Sequence, residues 1–220
     1  MAVKMEVWGN FACFSRPEMK VERVSYDVMT PSAARGMLEA VYWHPGLQWH
    51  IDNIYVLAPI QMTNIRRNEV QSKVLGSSVR AAMTGGRTEL YINTSKDIVQ
   101  RASLVLQDVR YVIEAHFTLT EKAAAGDNPG KFQDIIKRRA EKGQFYHQPY
   151  FGTREFPVNF KLCDGMPECP KELLGERDLG WMLLDMDYSD PSDIKPVFFR
   201  AVMKDGVLDV PPMRGKGVAR

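Results

Sequence analysis

Two helix starts written the same way, Thr30-Pro31 and Asn128-Pro129, constrain this chain more than any other feature. A short polar side chain accepts a hydrogen bond from the first free N–H groups of a helix, and proline suits the next position, where no N–H is needed. After the first start, Ala34, Met37, Leu38, Val41 and Tyr42 recur at helical spacing until Pro45-Gly46 ends the run. After the second, Phe132, Ile136 and Ala140 share one face, which predicts a helix from Pro129 to about Lys142.

Strand patterns surround these helices. Val3, Met5 and Val7, with Lys4 and Glu6 between them, predict a first strand with one buried face. Residues 49–62 read as a strand through Ile51, Tyr55, Val56 and Leu57, with Pro59 marking an edge or a bulge. A longer strand over 103–120 puts Val109, Tyr111, Ile113, Ala115 and Phe117 on one side and Arg110, Glu114 and His116 on the other. Residues 64–102 are polar and rich in small residues, and they read as an insertion carrying a hairpin or a mobile loop. Beyond the second helix, β structure is predicted over 150–162 and 180–188, and as a hairpin of 196–203 with 207–210 turning at Asp205-Gly206. The order matches a ferredoxin-like βαββαβ unit of the kind that RNA-recognition (RRM-like) modules share. The expected class is α+β: a ferredoxin-like domain over 1–148 with a basic insertion at about 64–102, plus a smaller C-terminal antiparallel β domain over 149–220.

A formal net charge of +2 does not by itself imply a polyanion partner, but its distribution says more. Residues 63–110 carry Arg66, Arg67, Lys73, Arg80, Arg87, Lys96, Arg101 and Arg110 against Glu69, Glu89, Asp97 and Asp108, and the chain ends on Arg214, Lys216 and Arg220. Local excess of this kind attracts polyanions. Cys13, Cys163 and Cys169 lack the paired spacing of a zinc site and do not make a disulfide framework, so a reducing cytoplasm is expected. Neither a leader pattern nor a bilayer-length apolar run is visible, which argues against a membrane protein.

Lys131 falls in the first turn of the second helix, where free N–H groups favour an anion. A lysine there is placed to hold a phosphate, and the helix dipole is expected to lower its pKa. Its plain alternative is a surface helix with solvated charges. Four histidines are weighed beside it. His116 reads as a surface ion pair with Glu114, His44 as turned outward by Pro45, and His50 as structural or solvated. His147, in the loop after the Lys131 helix, is the candidate acid–base residue. No histidine has the spacing of a metal site. Arg66, Arg67, Arg138, Arg139 and Arg154 are candidates for contacts to a phosphate backbone, and Tyr91 for stacking or hairpin packing.

Several blocks, in order, carry a resemblance. Phe14-Ser15-Arg16-Pro17-Glu18-Met19 runs into Thr30-Pro31-Ser32-Ala33-Ala34-Arg35-Gly36, and Tyr42-Trp43-His44-Pro45 follows. Asn64-Ile65-Arg66-Arg67-Asn68-Glu69, Asn128-Pro129-Gly130-Lys131-Phe132, Gly152-Thr153-Arg154-Glu155-Phe156 and Phe198-Phe199-Arg200-Ala201-Val202 complete the set. Across nearly its whole length the chain resembles the CRISPR-associated "Cas five" family, subtype Dvulg, of the RAMP superfamily and the type I-C Cascade complex.

The resemblance implies a metal-independent endoribonuclease that needs no cofactor. Such an enzyme cuts precursor CRISPR RNA at the base of the repeat hairpin, then stays on the 5′ handle among the other Cascade subunits. Tyr42 and Lys131 match two members of the family's catalytic set. The third, a histidine directly after the lysine, is replaced here by Phe132. Two other readings stay open: a non-catalytic subunit that only holds the RNA handle, and a general activity on double-stranded DNA. The latter is weakened by the lack of an acidic metal cluster.

Overall fold

The computed structural model describes residues 2–19, 21–86, 90–215 and 217–219. Arg87, Glu89, Lys216 and Arg220, which entered the charge reading, lie outside the described residues. The chain runs β1 (Val3–Ala12), β2 (Arg23–Val24), α1 (Pro31–Val41), β3 (Leu47–Val56), β4 (Met62–Val70), α2 (Gly76–Met83), β5 (Ile98–Leu119), α3 (Pro129–Glu141), β6 (Asn159–Leu162), β7 (Glu176–Asp187), β8 (Lys195–Lys204), β9 (Val207–Asp209) and β10 (Val218–Ala219).

Both long helices begin at their predicted caps. Thr30 Oγ1 accepts from the Ala33 N–H, and Asn128 Oδ1 accepts from the Lys131 N–H at 2.9 Å. Asn128→Ala is expected to cost about 1 kcal/mol, seen as a lower denaturant midpoint at unchanged slope.

In the sheet the neighbours run β3-β5-β1-β6, each of these three pairs antiparallel, while the short β2 pairs with β5 in parallel. The alternation in β1 and β5 sends Val3, Met5, Val7, Tyr111, Ile113 and Ala115 into the same core as Met37, Leu38, Phe132 and Ile136 of the helices. α1 packs on β3, α3 on β6, and the two helices touch. Polar residues alternate with that apolar set: Lys4 pairs with Glu114 at 3.4 Å, and Glu6 with Arg110 at 2.6 Å.

The insertion is a two-stranded ribbon carrying α2. β4 pairs with the first half of β5 from Met62↔Leu106 to Val70↔Ile98, so the strand expected to begin at 103 begins at Ile98. The strand expected over 49–62 is two strands, because Pro59 has no N–H to give a ladder and the segment around it lies outside both. β5 takes β4 as its neighbour up to Leu106 and β3 from Tyr111. Asp108 sits at that exchange with φ 51, a left-handed conformation that aspartate tolerates better than most residues.

After residue 149 the strands continue the same sheet. β6, beyond the expected boundary, pairs with β1, and β9 pairs with β3. Of the strand expected over 150–162 only Asn159–Leu162 forms, preceded by an isolated bridge from Tyr150 to Pro157. β8 turns into β9 at Asp205-Gly206, both left-handed (φ 48 and 78), as a two-residue hairpin requires. β7 closes over α1, where the Arg35 guanidinium meets Asp185 through two bonds of 2.5 and 2.8 Å.

Candidate active site

Tyr42 caps the C-terminal end of α1, and Lys131 lies in the first turn of α3; the fold brings the two together. Phe132, fully buried, is the platform between them. Its ring lies 6.0 Å from that of Tyr42 and 6.3 Å from that of Phe117. From the last turn of α3, Arg139 donates to the Val41 carbonyl at 2.7 Å and sets its guanidinium 5.2 Å from the Tyr42 ring centroid. A cation on the last carbonyls of α1 is the favourable sense of the helix dipole. Trp49 Nε1 donates to the Tyr42 carbonyl at 3.2 Å. The tyrosine is therefore gripped at its backbone and its ring.

Burial pushes the Tyr42 phenol above its ordinary range, against the opposing pull of Arg139 and Lys131. It is a neutral hydroxyl near neutral pH, fit to orient an oxygen rather than to act as a phenolate base. Lys131 corrects an expectation. Its pKa is raised, because Asp127 Oδ1 accepts from its Nζ at 2.8 Å and the carboxylate's charge favours the cation. Asp127 is itself fixed: Oδ2 accepts from the Ala124 N–H at 2.9 Å, and its side chain is 2% exposed. The bond from Lys131 holds that carboxyl below the usual carboxylate range.

His44 also departs from its expectation. It does not turn outward; its ring lies 5.0 Å from that of Phe132, and its Nδ1 is 4.0 Å from Asp127 Oδ2. Gly46 makes this turn possible, since a Cβ there would come within 2.7 Å of the Ala123 Cα. Sequence reasoning also missed Asp127 as a partner, although its spacing of four residues before Lys131 was a usable signal.

His147 follows the end of α3, and its backbone N–H donates to the Ala40 carbonyl in the last turn of α1 at 3.3 Å. Its side chain lines a cleft of about 360 Å³ with Cys13, Ser15, Tyr26, Thr30 and Tyr150, and among the described residues no hydrogen bond, ion pair or ring contact joins it to Tyr42 or Lys131. His116 pairs with Asp52 at 2.8 Å rather than with Glu114, whose carboxylate is taken by Tyr55, Asn53 and Lys4. His50 stacks on His116 with ring centroids 5.0 Å apart.

The five arginines fall into two groups. Arg66 is exposed on β4. Arg67 beside it bonds Glu155, which draws the exposed Arg154 to the base of the ribbon. Glu69 collects Arg23, Arg67 and Arg101, and the first and last of these were not among the five candidate contact arginines. Arg138 is exposed on α3, while Arg139 is committed to α1 as described. Tyr91 is exposed on the ribbon side of α2 in sequence, with no ring contact among the described residues. Among the described residues no group of three or more His, Cys, Asp and Glu is arranged to hold a metal ion, and no helix is long and apolar enough to cross a membrane.

Fold and site together define an α+β protein that presents a charged lysine beside a buried tyrosine, a pairing suited to receiving a phosphate. A family model described as CRISPR-associated protein (Cas_Cas5), in its Cas5d form, matches residues 2–211. The chain belongs to the CRISPR-associated Cas5 family, Cas5d subtype. It is 50% identical to the CRISPR pre-crRNA endoribonuclease Cas5d of Mannheimia succiniciproducens, over 99% of this chain and 98% of that one. Identity to the protein of the same name from Thermus thermophilus is 40%, over 95% and 91%. A solved structure described as a CRISPR-associated protein shares the fold, with a TM-score of 0.71 at 23% identity over 100% of this chain and 97% of that one.

Proposed function

We propose that this protein cuts precursor CRISPR RNA at the base of the repeat hairpin, without a metal ion, and then holds the 5′ handle as a subunit of a type I-C Cascade. Pre-crRNA endoribonuclease activity is the reading that the relatives' names support. The observation that carries the chemistry is Lys131, cationic and half-exposed, beside the buried Tyr42. In the proposed reaction the 2′-oxygen bonds to phosphorus as its proton leaves. The P–O5′ bond breaks and O5′ takes up a proton, giving a 2′,3′-cyclic phosphate and a 5′-hydroxyl with no water consumed. Lys131 stabilises the added negative charge, and Tyr42 orients the attacking hydroxyl.

The strand order β6-β1-β5-β3, with α1 and α3 packed against it, supports reading the core as the ferredoxin-like βαββαβ unit, and residues 149–220 as its β-rich extension. Arg66, Arg154 and Arg138 are read as exposed contacts to RNA phosphates, with Arg67 and Arg139 adding charge from fixed positions.

The test is cleavage of a cognate repeat hairpin in EDTA, beside an RNA with a 2′-deoxy substitution at the scissile nucleotide. Cutting of the first RNA alone, with a cyclic phosphate end, is the expected result; cutting of both would overturn the mechanism. Phe132, buried where the resemblance places a histidine, favours a second reading as a non-catalytic holder of the handle. Tight hairpin binding with no cutting would establish it.

A further inference from the structure

We infer that His44 is a catalytic residue of this site, whose Nε2–H donates a hydrogen bond to an oxygen of the scissile phosphate. The inference rests on the ribonuclease reading above and adds a group to it.

Three observations converge. His44 shares the Phe132 platform with Tyr42, the two rings lying 5.0 and 6.0 Å from that of Phe132. His44 and Lys131 flank one carboxylate, with Nζ on Asp127 Oδ1 at 2.8 Å and Nδ1 4.0 Å from Oδ2. The imidazole is also assigned a tautomer by its surroundings. The Gly46 backbone N–H can only donate, and it lies 3.0 Å from Nδ1, so Nδ1 accepts and Nε2 carries the proton. Among the described residues that Nε2–H has no acceptor, and the side chain is a third exposed, within reach of solvent and substrate.

A fixed N–H donor beside a fixed cation suits charge that grows on a phosphoryl oxygen. The same geometry argues against a base at this position, because a base would need a free lone pair on Nε2. That distinction is testable by substitution. The side-chain N–H of glutamine falls near the place of Nε2, whereas that of asparagine falls near Nδ1.

The measurement is single-turnover cleavage of the repeat hairpin by wild type, His44→Ala, His44→Asn and His44→Gln, with hairpin affinity and melting temperature recorded for each. His44→Ala and His44→Asn should slow cleavage about 100-fold. Affinity should change less than about threefold, and His44→Gln should recover to within about tenfold of wild type. The inference is overturned if His44→Ala cuts at the wild-type rate, while the ribonuclease reading survives. Loss in His44→Gln equal to that in His44→Ala would mean a titrating role and would also overturn it. A parallel loss of melting temperature in all three variants would mark a structural histidine. A wild type that binds but never cuts sinks the ribonuclease reading first, and this inference with it.

Discussion

Lys131→Ala is expected to slow single-turnover cleavage between about 100-fold and 1000-fold while leaving hairpin affinity within a few-fold of wild type. Losing one preformed donor to developing charge has that scale. The side chain is half exposed and makes its one bond to Asp127, so its removal leaves the core untouched. A large loss of affinity with an unchanged rate would instead assign Lys131 to backbone binding. The pH dependence follows from the direction of the lysine's shift. Asp127 raises its pKa, so the cation persists through neutral pH and is lost only as the pH climbs past the ordinary lysine range. Asp127→Asn removes the charge responsible and lowers that pKa. The alkaline decline of the cleavage rate should therefore begin at a lower pH in Asp127→Asn than in wild type; an unmoved decline would show that Lys131 does not set it.

Phe132→Ala should be the most damaging single change for both stability and activity. The ring is fully buried against Tyr42, His44 and Phe117, and a truncation of this kind costs about 3–5 kcal/mol. For a chain of this size that corresponds to a fall in melting temperature of roughly 10 °C. Even below the new midpoint, cleavage should drop sharply, because the ring that spaces Tyr42 and His44 is gone. Phe132→Leu, which keeps most of the volume, should cost roughly 1–2 kcal/mol. A loss under about 1 kcal/mol for Phe132→Ala would show that the surrounding rings collapse into the space and that the platform is not rigid.

Much of this fold can be read from local chemistry. Thr30-Pro31 and Asn128-Pro129 start helices because capping and proline geometry are decided within four residues, and the alternation in β1 and β5 sorts side chains by face for the same local reason. Strand partners are not local. That 98–106 is the far half of a strand running to Leu119 depends on β4, and that 149–220 joins the same sheet depends on β9 meeting β3. The site shows the same limit. Lys131 at a helix start and Tyr42 at a helix end are visible in sequence. The sign of the lysine's shift could have been read from Asp127, four residues before it; what the sequence does not show is that the 120–128 loop packs on the His44–Gly46 turn and sets the same carboxylate near His44. That packing rests on Thr120, whose hydroxyl donates to the Pro45 carbonyl at 2.7 Å and whose N–H donates to the Gly46 carbonyl at 3.0 Å. His44 was misread for a related reason: proline does redirect the chain after it, but Gly46 lets the turn close tightly enough to bring the ring back over Phe132.

β5 gives the molecule a mechanical character. At 22 residues it is about 70 Å of extended chain, bonded to β4 in its first half and to β3 and β1 in its second. Tension applied at the tip of the ribbon would run along this strand into the centre of the sheet. There it meets hydrogen bonds on both flanks that must slide together instead of opening one at a time. A load taken by the tip would thus be borne by the whole sheet, and it would end at Leu119, one short loop from the carboxylate that holds Lys131.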